Sequence, residues 1–213
     1  MIRQIQTYEV IETNCYLYLD EETKHGFIID PGANGDKICS FIEENEITLE
    51  KILITHGHFD HIGAVNILKK HFGINVAMYV GSKEYVLSPV KNQSANYGRD
   101  VFVDLDDEDE LLEDGALLSI STNPNMTLKL IHTPGHTKDS CVYYDEVEGV
   151  LFAGDTIFAG SIGRTDFYGG SIEEIENSIR EKIYTLPDDT VILSGHTDPT
   201  TVGYEKEHGY FRT

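Results

Sequence analysis

The chain has 213 residues, 40% of them hydrophobic, with 37 acidic against 16 basic side chains and a formal net charge of −21. Such a length buries a full core, no stretch approaches a membrane-spanning run, and an acidic balance without a basic stripe argues against nucleic acid as a partner. Three scattered cysteines, Cys15, Cys39 and Cys141, exclude a disulfide framework or thiolate metal site, and Met1 to Gln6 lacks the apolar run of an export signal, so a reducing cytoplasm is expected.

In chain order, Ile2 to Val10, Asn14 to Leu19 and Gly26 to Ile29 read as strands separated by polar turns. Asp30-Pro31-Gly32 is a turn, and Ile38, Phe41 and Ile42 give a helical stripe running to about Asn45. Lys51 to Thr55 is a buried strand. A helix follows from Ile62 through Val65, Leu68 and Phe72, with Lys69, Lys70 and His71 in its last turn, where cations suit the helix dipole. Asn75 to Val80 is a further strand, and Ser82-Lys83-Glu84 opens a helix that Pro89 interrupts. Residues 88 to 103 carry no legible pattern. Asp104 to Asp114 is an acidic run that fails as a calcium loop, because Asp109 stands where the sharp turn needs glycine; a solvated loop is expected. Strands return at Leu117 to Ile120, Met126 to Ile131, Cys141 to Tyr144 and Val150 to Phe152. A helix from Ser171 to Tyr184 sets Ile172, Ile175, Ile179 and Ile183 on one face, and Val191 to Leu193 is the last strand. With no repeat and no linker, the pattern predicts one domain of two sheets packed face to face, with helices outside.

The chemistry is concentrated in Thr55-His56-Gly57-His58-Phe59-Asp60-His61, directly after an apolar strand. If extended geometry continues past Thr55, alternation points His56, His58 and Asp60 the same way, while His61 breaks the alternation and reaches a second focus. Four nitrogen and oxygen donors aimed at two neighbouring points suggest two metal ions. Three later stretches repeat an apolar strand, a turn and one candidate ligand preceded by glycine: Gly135-His136, Gly154-Asp155 and Gly195-His196. His132 reads as a strand residue near the site, His25, His71 and His208 as surface residues, and Cys15 as a small buried hydrophobe.

Thr-His-x-His-x-Asp-His, the later His136, Asp155 and His196, and the early Asp30-Pro31-Gly32 occur in order over nearly the whole chain. On these residues it resembles the metallo-β-lactamase-fold hydrolases, an α/β class of four-layer αββα sandwiches. The resemblance implies that His56, His58 and His136 hold one divalent ion, that Asp60, His61 and His196 hold the other, and that Asp155 bridges them. Zinc heads the candidate ions, with iron or manganese as alternatives. Within the fold, Phe158-Ala159-Gly160-Ser161-Ile162-Gly163-Arg164-Thr165-Asp166-Phe167 is similar to the short, single-domain glyoxalase II-like branch. It departs from the two-domain enzymes in lacking their C-terminal helical domain and in placing Arg164 where they have a substrate-contacting lysine. The resemblance therefore carries thioester hydrolysis but not glutathione as the carrier. Arg164 either receives a substrate carboxylate or pairs with Asp166 to hold its loop.

The expected activity is dinuclear metal-dependent hydrolysis of a small hydroxyacyl thioester through a metal-bridging hydroxide that Asp60 orients as a catalytic residue. One rival is a persulfide dioxygenase using a single iron on His56, His136 and Asp155. Another is a non-catalytic metal or ligand sensor. The charge itself yields a test: an anionic thioester must approach through a repulsive field that salt screens from a Debye length of about 8 Å to about 3 Å at 1 M. Raising a weakly coordinating salt should increase kcat/KM for an anionic thioester and leave a neutral one of similar size flat. A fall for the anionic substrate alone would show that local attraction governs approach instead.

Overall fold

Alternation along the early strands decides the layering. In a computed structural model, which describes residues 1–212, Cys15, Leu17 and Leu19 point to one face of their strand while Tyr16 and Tyr18 point to the other, and all five are buried. A strand buried on both faces must lie in an inner layer, and that is its position. The first sheet runs β1 (Ile2–Tyr8), β2 (Glu12–Leu19), β3 (His25–Ile29), β4 (Thr48–Ile54), β5 (Asn75–Tyr79) and β6 (Glu110–Leu112) in spatial order. Its β1–β2–β3 part is antiparallel and its β3–β4–β5–β6 part parallel.

The second sheet is built from β7 (Leu117–Ile120), β8 (Asn123–His132), β9 (Cys141–Asp145) and β10 (Val150–Gly154), extended on the β10 side by β13 (Val191–Ser194) and β14 (Thr200–Thr201). A small hairpin of β11 (Ile157–Phe158) and β12 (Ser161–Ile162) stands apart from both sheets. Between the sheets lies a cluster that includes Tyr16, Tyr18, Phe27 and Leu53 from the first and Leu128, Leu130, Tyr143 and Phe152 from the second. Helices α1 (Gly35–Glu44) and α3 (Val65–Phe72) cover the outer face of the first sheet through Ile38, Ile42, Val65 and Leu68. On the outer face of the second sheet, α5 (Ile172–Ser178) continues into a π-helical turn over Ile179–Ile183 and packs with α6 (Val202–His208). The fold is the expected αββα sandwich. Among the described residues no helix is long and apolar enough to cross a membrane.

Three expectations change. The helix read from Ile62 to Phe72 is two pieces, α2 (Phe59–Ile62) and α3, because the Ala64 N–H donates to the Pro31 carbonyl at 2.9 Å. The acidic run is not all solvated loop: Glu110–Leu112 is an edge strand, and Asp109 accepts the Val76 N–H at 2.9 Å and pairs with Lys69. The Ser82 region resolves into a single 3₁₀ turn followed by α4 (Lys83–Val86).

Phe152 lies 5.6 Å from the Tyr16 ring and 6.0 Å from the Tyr18 ring at the centre of the inter-sheet core. Phe152→Ala should cost about 3–5 kcal/mol of stability, read as a lower urea midpoint at unchanged slope. A loss below about 1 kcal/mol would mean that the two sheets do not depend on this contact.

Candidate metal centre

His56, Asp155 and His196 stand just past the ends of β4, β10 and β13, His58 and His136 lie further along the turns after β4 and β8, and Asp60 and His61 lie on α2. The chain leaves β4 at Ile54, and the buried carboxylate of Asp30 captures the next residue, accepting the Thr55 N–H at 2.8 Å and the Thr55 hydroxyl at 2.6 Å. His58 keeps extended backbone, with φ −68° and ψ 148°, and α2 begins at Phe59. Alternation therefore carries His56 and His58 but stops before Asp60. Asp60 lies on the helical turn with His61 and faces His61 and His196 rather than the first two histidines, which corrects the extended reading of that residue.

Two foci result. At the first, His56 Nε2 is 3.1 Å from His58 Nδ1, which is 2.9 Å from His136 Nε2. At the second, Asp60 Oδ2 lies 3.7 Å from His61 Nε2 and 3.4 Å from His196 Nε2. Asp155 reaches both: its Oδ1 is 3.4 Å from His61 Nε2, and its Oδ2 is 3.2 Å from His196 Nε2 and 3.6 Å from His136 Nε2. His56, His58 and His136 form one group able to hold a metal ion, and Asp60, His61 and His196 another; His56, His61 and Asp155 form a third group between them. All seven residues picked from the sequence are thus brought together.

Partners outside the centre set which ring nitrogen carries the proton. His136 Nδ1–H donates to the Arg164 carbonyl at 2.7 Å, His196 Nδ1–H donates to the Glu12 carbonyl at 2.7 Å, and His61 Nδ1–H faces Asp30 Oδ2 at 2.9 Å. Each of these bonds leaves a lone pair on Nε2, pointed into the centre. His61 Nε2 and Asp155 Oδ1 are buried without a hydrogen-bond partner, a cost of about 1–3 kcal/mol each unless a ligand engages them. Three imidazole nitrogens converging on one point likewise need a cation between them. The donor set, five imidazoles and two carboxylates, fits divalent ions.

Charge divides the centre. Burial, reinforced by neighbouring histidines, pushes His56 and His58 well below the ordinary histidine pKa, and burial also lowers His136, so the first focus holds neutral rings. Burial opposes protonation of His61 too, but the carboxylates of Asp155, Asp30 and Asp60 outweigh it and raise its pKa. His196 is raised in the same way, chiefly by Asp155. Burial likewise opposes ionisation of Asp155, yet His196 and His61 hold its carboxyl well below the usual range.

Over the centre opens a cavity of about 480 Å³, lined by Phe158, Ile162, Arg164 and Phe167 from one stretch of chain and by Gln93, Asn96 and Tyr97 from another. A family model of the metallo-beta-lactamase superfamily matches residues 9–196. The chain belongs to the metallo-β-lactamase superfamily. Within it, the chain is 35% identical over 206 residues to hydroxyacylglutathione hydrolase GloC of Haemophilus influenzae, covering 94% of this chain and 92% of that protein. The crystal structure of BLEG-1, titled a B3 metallo-beta-lactamase, superposes with a TM-score of 0.92 at 37% identity and full coverage of both chains. TTHA1623, crystallised in a di-iron-bound form, matches at TM-score 0.82 and 26% identity over 98% of this chain and 99% of that one.

Among the smaller candidates, Arg164 lines the cavity and also pairs with Asp166 through Nε–Oδ1 at 2.8 Å and Nη2–Oδ2 at 2.7 Å. His132 stacks on Tyr79 at 4.1 Å and bonds the Lys138 carbonyl, and Cys15 is fully buried. His25 pairs with Glu50 and His71 with Glu43, both away from this superfamily centre. Sequence reading missed Thr13, whose hydroxyl donates to Asp60 Oδ2 at 3.3 Å, and Gln93, Asn96 and Tyr97 on the cavity wall. Thr13 looks like any other residue of β2, and the wall residues follow no period; only their tertiary placement marks them.

Gly195 has no room for a side chain: a Cβ there would lie 2.4 Å from Asp155 Oδ1 and 2.8 Å from His61 Cε1. Gly195→Ala should therefore bind less than the full complement of metal while keeping a folded far-UV spectrum, as elemental analysis after dialysis would show. Full metal content in this variant would mean that Asp155 and His61 are not both ligands.

Proposed function

We propose that the chain is a dinuclear metal-dependent thioester hydrolase. His56, His58 and His136 would hold one ion, Asp60, His61 and His196 the other, and Asp155 would be shared. The observation that carries the reading is the position of Asp155, which lines the cavity with Oδ1 facing His61 and Oδ2 facing both His196 and His136, so that one carboxylate meets both histidine sets. GloC, a relative named hydroxyacylglutathione hydrolase, supports thioesters as the substrate class.

A bound metal pair supplies Lewis acidity toward a carbonyl oxygen and lowers the pKa of water to near 7. The chain's own residues then have defined tasks. Asp60 Oδ2 already accepts a hydrogen bond from Thr13, and the same carboxylate would accept one from the attacking water and align it with the substrate. The aromatic wall of Phe158 and Phe167 limits bulk water around the reacting carbonyl. A thiolate with a pKa of about 8.5 departs without a proton donor, so the leaving-group side needs no general acid.

A single-iron dioxygenase would need only His56, His136 and Asp155, and the equally formed Asp60–His61–His196 group weighs against it. The same completeness weighs against a non-catalytic sensor, since binding alone needs no second set. Hydrolysis of a β-lactam is the second reading, favoured by the likeness to BLEG-1. Its amine leaving group needs a proton, and thioesters therefore fit this site better.

Metal-loaded protein should release thiol from small thioesters, followed with a thiol-reactive dye, and Asp155→Ala should lose at least one ion and at least about 100-fold in kcat/KM. Fully loaded protein that opens a cephalosporin, or consumes oxygen with a persulfide, while leaving every thioester intact would overturn the proposal.

A further inference from the structure

The cavity walls carry information about the thiol carrier that the metal centre does not. Among the described residues, Arg164 is the one Lys or Arg that lines the cavity. Its guanidinium makes a two-pronged pair with Asp166 and lies 3.9 Å from the centre of the Phe167 ring. The Nε–Nη2 edge and the stacked face are therefore engaged by neighbours only two and three residues along the same loop, with Nη1 outside the pair. The base of that loop is pinned as well, because the Arg164 carbonyl accepts the His136 Nδ1–H. Arg164 holds the Asp166 carboxyl down to about 2, so the pair stays ionised at any working pH.

Gln93, Asn96 and Tyr97 give the cavity a neutral stretch of wall. Gln93 sits in the left-handed region at φ 70° with its side chain buried, and the Asn96 amide donates to Gln93 Oε1 at 2.7 Å, so the two amides brace each other. Tyr97 completes that wall with its ring 5.1 Å from Phe59. Away from the candidate ligands, the cavity thus offers aromatic surface, amides and one cation that is already matched. The whole chain adds a net charge of −21 around it.

We propose that Asp166 is a specificity-determining residue: by holding Arg164 in its pair it denies the cavity a free cation, so the site takes thioesters of small uncharged thiols and discriminates against carboxylate- or phosphate-bearing carriers. This rests on the thioesterase reading of the same site. Both side chains of the pair are more than half exposed, 60% for Arg164 and 65% for Asp166, which limits the discrimination to a modest factor. A bidentate pair backed by an aromatic face is the geometry in which an exposed pair still counts.

The test uses two hydrolysis-resistant thioethers identical except for a terminal carboxamide or carboxylate. Their binding to metal-loaded protein is measured by calorimetry, and the readout is the ratio of the two Kd values within each protein. Wild type should prefer the carboxamide. Asp166→Asn, with Asp166→Ser as a second variant, should shift the ratio toward the carboxylate by roughly five-fold. Adding Arg164→Ala to either variant should return the ratio to the wild-type value. An unchanged ratio in both Asp166 variants would overturn the inference, as would a wild-type preference for carboxylate that Arg164→Ala abolishes, or binding of neither analogue. Because binding needs no turnover, a protein that shows the expected ratios but cleaves no thioester would overturn the functional reading alone.

Discussion

One buried carboxylate ties the frame of this site together. Asp30 ends β3 with φ 52°, in the left-handed region, and its two oxygens take the Thr55 N–H, the Thr55 hydroxyl and the His61 Nδ1–H. A buried carboxyl group needs donors for its lone pairs, and here they come from the residues that must be held. The next two residues extend the same constraint. The Pro31 carbonyl takes the Ala64 N–H and so divides α2 from α3. Gly32 lies so close to the Asp60 carbonyl that a Cβ there would come within 1.6 Å of it. A three-residue turn therefore sets the exit of β4, the ring of His61 and the pitch of the helical turn that carries Asp60.

The other ligand turns are pinned from outside in a comparable way. Asn14 donates to the Ser194 and Thr197 carbonyls at 3.0 Å each, and the Tyr16 hydroxyl donates to Ser194 at 2.7 Å, which fixes the loop bearing His196. Asp139, with its pKa pushed up to about 6 by burial, accepts the Gly57 N–H between His56 and His58 at 2.8 Å. None of these residues belongs to the candidate ligand set. Their effect is to remove backbone freedom next to each ligand, so that converging imidazoles and carboxylates do not relax apart.

Centre and cavity then divide the work. Two foci of different electrostatic balance, neutral rings at one and carboxylate-compensated rings at the other, sit on a scaffold that the superfamily match spans from residue 9 to 196. The cavity wall draws on a segment, residues 88–103, whose only regular structure is a short 3₁₀ turn at Ser94–Tyr97, together with the Arg164–Phe167 loop. Selectivity on such a scaffold belongs to loops, which can change without disturbing the sheets.

The sequence by itself determined the layers and singled out the candidate ligands. Alternation in β2 and the 3.6-residue stripes of α1 and α5 declare which faces are buried, and an imidazole or carboxylate after a glycine at a strand end declares itself as a donor. Only the tertiary structure decided where the donors point and what surrounds them. Asp60 follows two histidines in apparent alternation, yet the Asp30–Gly32 turn winds it onto a helix and gives it to the second focus. Asp109 reads as one acid among many until the strand beside it presents the Val76 N–H. Thr13, Asn14 and Gln93 leave no local signal either, because each acts through a partner brought to it by chain distant in sequence or by the bend of its own loop. Periodicity reports burial, which is a property of a residue and its near neighbours; orientation and pairing are properties of contacts, and those exist only once the chain has folded.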